Sequence, residues 1–175
     1  MNRLTWPYLH LVVNHIPIVL TALGAVASAA ALITRRSAVW LYAVATLTFA
    51  GLSTYPVKFS GERAEHVMED TWYADEDAIG DHEEAAERAM WTLMFMGAVS
   101  AFAWWRLVRG GPSSGVAVRE PVSTTTVTLP LGLRLLVVAS SLAGLVTVGN
   151  AAVKGRQIVH ESSKLEAPPS ETRTP

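Results

Sequence analysis

The chain contains no cysteine. That excludes disulfides, thiolate metal sites, covalent c-type haem attachment and iron–sulfur ligation by its own residues. Charge is the second shortage. Asp, Glu, Lys and Arg make up 17% of the 175 residues, against about 25% in a soluble domain. There is no serine–histidine–aspartate arrangement, P-loop or dinucleotide fingerprint, so no enzymatic activity is assigned. Nucleic acid is not an expected partner.

The missing charge has a location. Residues 11–33, 38–57, 89–105 and 135–153 are runs without Asp, Glu, Lys or Arg, of 23, 20, 17 and 19 residues. A hydrocarbon core about 30 Å thick is crossed by about 17–25 helical residues. In lipid the backbone must satisfy its own hydrogen bonds, so runs of this length are helices. Small residues such as Gly24, Ala25, Ser28, Ser140, Ser141 and Gly144 suit close helix approach. Helices of a soluble bundle would carry a charged outer face, and these do not. The first run has only Arg3 before it and carries polar residues, which argues against a cleaved signal peptide ending near Ala27-Ser28-Ala29. The expected fold is therefore all-α, a four-helix transmembrane bundle in one domain over 1–160, followed by a disordered tail, 161–175.

The loops are segregated by charge. Arg35 and Arg36 fill the first loop, and Arg106, Arg109, Arg119 and Arg134 lie between spans three and four, opposed only by Glu120. The other 14 acidic residues lie on the opposite side, 11 of them between Glu62 and Glu87. The positive-inside rule makes the arginine loops cytoplasmic. Both termini and the acidic segment are then outside, on the periplasmic face of a bacterial inner membrane. Residues 110–128 read as a flexible linker. Glu62, Glu65, His66 and Glu69 share a helical face, which predicts a short outer-face helix between spans two and three. Trp72 and Tyr73 suit an interfacial anchor, and Asp81 with Glu84 makes a capping signal for helix three.

All five histidines, His10, His15, His66, His82 and His160, fall at or beyond the outer ends of the spans. Glu65, Glu83 and Glu161 stand beside three of them. Imidazole with carboxylate suits zinc, iron or copper, and paired imidazoles suit haem iron. His10 and His15 point about 140° apart on a helix, so one local chelate from both is excluded. Pro17 makes the backbone near His15 irregular. His82 near a helix N-terminus is kept neutral by the dipole. Met90, Met94 and Met96 read as packing residues. His66 reads as solvated.

The run His10-Leu11-Val12-Val13-Asn14-His15-Ile16-Pro17 resembles the opening of a group of small four-span bacterial membrane proteins close to domain-of-unknown-function family 2231. Gly61-Glu62-Arg63-Ala64-Glu65 after span two is similar to a second element of that group. His82-Glu83-Glu84-Ala85 before span three and Gly155-Arg156-Gln157-Ile158-Val159-His160-Glu161 after span four are similar to two more. The last departs from the expected pattern, with Lys154-Gly155 in place of a Gly-Gly pair and Val159 in place of a basic residue. The resemblance covers about residues 8–162 and implies a shared site from His10, His15, Glu65, His82, Glu83, His160 and Glu161. It supplies no activity.

Two functions compete. One is a redox subunit with an outer-face site for b-type haem or for iron, copper or zinc, in electron transfer beside other respiratory or redox membrane subunits. His15 with His82 is the expected haem pair, and Glu65 and Glu83 would join a di-metal site. The other is a non-catalytic accessory subunit of a larger membrane complex. A transporter is disfavoured, because no charge lies in mid-membrane.

Overall fold

The structure is a computed structural model that describes residues 5–69, 76–109 and 129–165; the side chains of 68, 69, 76, 78 and 157–165 are outside the description. The linker 110–128, the anchor pair Trp72 and Tyr73, and residues 166–175 also lie outside it. Six helices follow one another: α1 (Trp6–Val13), α2 (His15–Thr34), α3 (Ser37–Leu52), α4 (Thr54–Glu69), α5 (Glu76–Arg109) and α6 (Leu131–Leu165). No strand occurs among the described residues. Four stretches are long and apolar enough to cross a membrane: Trp6–Thr34, Ser37–Val67, Ile79–Arg109 and Leu131–Arg156. The protein is an all-α, multi-pass membrane protein built on a four-helix bundle.

Proline explains why four spans appear as six helices. Pro17 has no N–H for the carbonyl of Val13, and Pro56 has none for Leu52. Each missing bond falls where one helix ends and the next begins, at Val13 and Leu52. The chain hardly turns, because Asn14 and Ser53 keep right-handed helical angles. Hydroxyls cover the loosened carbonyls: Ser53 Oγ donates to Ala50 O at 2.7 Å and Thr54 Oγ1 to Gly51 O at 2.7 Å. The expected outer-face helix is thus α4, a continuation of the second span rather than a separate piece of loop.

Helix α5 starts at Glu76, so Asp81 lies inside it and is no N-cap. Asp81 instead forms an ion pair with Lys154 of α6. At about 1.5 Å per residue, the 34 residues of α5 and the 35 of α6 reach about 50 Å. Both therefore project well beyond a hydrocarbon core of about 30 Å. Helix α6 also continues through Leu165, into the segment expected to be tail.

Helix α2 packs on α3, α3 on α5, α5 on α6, and α6 back on α2; α1 lies along α4. The first and third spans therefore face each other across the bundle, as do the second and fourth. Small residues allow this. A Cβ on Gly51 would stand 2.8 Å from Gly97 Cα, so α3 and α5 cross backbone on backbone. Ser28 Oγ and Ser141 Oγ meet at 3.4 Å between the first and last spans. Trp40, Val44, Leu47, Met96 and Val137 are fully buried. Met94 is exposed. At the arginine end Trp105 stacks on Phe102, with ring centroids 5.7 Å apart, and lies beneath Arg109 at 5.0 Å. Aromatic and basic groups of this kind belong at a membrane interface.

Candidate functional site: two imidazoles at the acidic end of the bundle

His10 lies on α1 and His82 on α5, the leading parts of the first and third spans. Both are half-buried, and His82 is near enough to act electrostatically on His10. Each ring lies against a glycine of the next helix. A Cβ on Gly61 would stand 3.2 Å from His10 Cε1, and one on Gly155 would stand 3.0 Å from His82 Cε1. With hydrogen at these positions, the rings rest directly on helix backbone.

The hydrogen bonds define the tautomers. His82 Nδ1 lies 3.1 Å from the carbonyl oxygen of Ala151. A carbonyl only accepts, so Nδ1 carries the proton and Nε2 of the neutral ring keeps its lone pair. His10 Nδ1 lies 3.1 Å from Ser60 Oγ. The single Ser60 proton goes to Val57 O at 2.9 Å. Ser60 therefore accepts from His10, and the Val57 carbonyl faces the same ring. Both imidazoles are thus held at Nδ1 and present Nε2 as the basic nitrogen. This is the arrangement found around metal-ligating histidines, whose other N–H is fixed by an oxygen acceptor. His82 lies beyond the first turn of α5, so the Ala151 carbonyl, not the helix dipole, sets its state.

His15 is placed otherwise. It is exposed, and its Nδ1 turns back to Leu11 O of its own helix at 2.6 Å. Five residues from His10, it points to another face, so only one of the two can join a shared site. The pairing expected for His15 with His82 passes to His10 with His82. Asn14, one turn from His10, has a buried Oδ1 without a hydrogen-bond partner. A buried acceptor left so is a place for a polar ligand atom or water.

The carboxylates are less concentrated. Glu65 is half-buried on α4; Glu83 is exposed on α5. His160 and Glu161 lie on α6, with side chains outside the description. Among the described residues no three His, Asp or Glu side chains are grouped to hold a metal ion. Around the site, Arg63 lies 5.0 Å from the Trp6 ring and 4.7 Å from the Phe59 ring, fixing α4 to the start of α1. Sequence reasoning passed over Gly155 as a cradle and missed Ser60 and Ala151 altogether. A glycine next to a helix crossing was the available signal for the first, but a main-chain carbonyl leaves none. Comparison with protein-family models, curated proteins and solved structures finds no match to this chain.

Proposed function

We propose that the chain is an integral membrane electron-transfer subunit that holds one b-type haem between His10 and His82. The observation that carries this reading is the pair of imidazoles from facing spans, each tied at Nδ1 and free to ligate through Nε2. Two such nitrogens suit the two axial positions of haem iron, whereas a non-haem centre generally draws on three or more side chains. The unpartnered Asn14 Oδ1 nearby fits a site that takes in a further polar group.

In this reading the haem, when bound, supplies a one-electron carrier. Everything else falls to the protein. Ser60 and the carbonyls of Val57 and Ala151 orient the two rings and raise the basicity of Nε2. Gly61 and Gly155 let the rings lie flat. The buried faces of α1, α4, α5 and α6 limit water. The charge asymmetry of the loops places this end outside the cytoplasm by the positive-inside rule, so electrons would be exchanged at the outer face with other redox subunits.

The test is the absorption spectrum of the protein purified from membranes, followed by metal analysis. A Soret band with one haem per chain is expected. Stoichiometric iron, copper or zinc without a Soret band would point to a His/Glu centre involving Glu65, Glu83, His160 or Glu161. Neither would leave the accessory role.

A further inference from the structure

The two imidazoles have more in common than their chemistry. His10 interacts with the Val57 carbonyl and His82 with the Ala151 carbonyl. Each rests on the glycine four residues later, Gly61 and Gly155. From His10 to His82 is 72 residues, and from Gly61 to Gly155, as from Val57 to Ala151, is 94.

These two offsets relate the rest of the bundle. At 72 residues, the buried Pro17, Thr21, Gly24, Ser28 and Ala31 fall on the buried Ala89, Leu93, Met96, Ser100 and Ala103. At 94 residues, the buried Ala43, Leu47, Ala50 and Thr54 fall on the buried Val137, Ser141, Gly144 and Val148. The first residues of α3 and α6, Ser37 and Leu131, also differ by 94. Burial alone would be weak support, because helical periodicity repeats, and Thr48 is buried where Leu142 is exposed. The register, however, is set independently by the ring-to-carbonyl contacts. The difference of 22 between the offsets is the extra length of the connection before α6 over that before α3.

We infer that the bundle is a duplicated helical hairpin, whose halves are related by a pseudo-twofold axis along the bundle, and that His10 and His82 are equivalent half-sites for a single ligand on that axis. The ring of contacts among α2, α3, α5 and α6 places the two hairpins as this requires. The identity of the ligand rests on the haem reading; the equivalence of the half-sites does not. Two equivalent imidazoles fill both axial positions, so the iron keeps no open place for oxygen or carbon monoxide.

The experiment uses full-length protein in lipid nanodiscs, with nitrogen-15 in its histidines, before and after adding haemin. Without haemin, His10 and His82 should both appear as the Nδ1–H tautomer, assigned by loss of one signal in His10→Ala and the other in His82→Ala. Gly61→Ala should disturb only the first ring and Gly155→Ala only the second. With haemin, one equivalent should bind, and reduced protein should not bind carbon monoxide. Each histidine substitution should weaken haemin binding about tenfold or more, by a similar factor. Each should also open the iron to carbon monoxide, and added imidazole should reverse both effects. An Nε2–H tautomer at either ring, two haemins per chain, or a substitution without effect would overturn the equivalence. Locked Nδ1–H rings with no haemin bound would sink the haem reading and leave the half-sites standing.

Discussion

Substituting Gly51 by alanine tests whether the spans cross as closely as described. The new Cβ would stand 2.8 Å from Gly97 Cα, 2.9 Å from Leu93 O and 3.3 Å from Gly97 N. All three are backbone atoms, so no side chain can swing away. Carbon atoms reach optimal contact at about 3.5–4.0 Å, so α3 and α5 must separate by most of an ångström. Overpacking of this kind costs about 1–3 kcal/mol. Alanine recovers about 0.8–1.0 kcal/mol through its greater helix propensity. The net expectation is a loss of roughly 1–2 kcal/mol from these two terms. Gly149→Ala is the control, since nothing stands within 4 Å of its Cβ position; there only the propensity gain of about 1 kcal/mol remains. Reversible unfolding of both variants in mixed micelles, against the unmodified chain, reads the difference. Equal stability of Gly51→Ala and Gly149→Ala would refute the backbone crossing.

Other expectations follow from single contacts. Arg35 closes α2 at φ 55°, in the left-handed region, so Arg35→Gly should stabilise the chain by about 1 kcal/mol in the same assay. The Lys154–Asp81 ion pair is partly exposed, at 33% and 60%, so Lys154→Met should cost less than about 1 kcal/mol and leave the haem spectrum unchanged. His66 is exposed on α4, and His66→Ala should leave haem content as it is. A reporter fused after Pro175 should be active only outside the cytoplasm; cytoplasmic activity would reverse the orientation.

The spans were legible in the sequence because lipid leaves the backbone one solution and makes absence of charge a direct signal. The breaks at Val13 and Leu52 follow from Pro17 and Pro56, although only the first was anticipated. The start of α5 was placed too late, since Asp81 and Glu84 look like a cap but lie inside a longer helix. Cap signals and exposed helical faces share the same residues, and their order along the chain does not separate them. Of the site, the identity of the histidines and their gathering at one end were legible. The choice between His10 and His15 was not, because it depends on which face of α1 turns toward α4. Ser60, near enough in space to hold a ring, is 50 residues away in sequence, and Ala151 acts through its carbonyl alone. Such partners carry no sequence pattern.

The pairing of His10 with His82 is the claim on which the functional reading turns. Its most direct test is the haem content of His10→Ala, His15→Ala and His82→Ala, purified side by side with the unmodified protein and read at the Soret band. The account predicts a six-coordinate spectrum in the unmodified protein and in His15→Ala, and its loss in both other variants. A spectrum that survives His10→Ala but disappears in His15→Ala would contradict it.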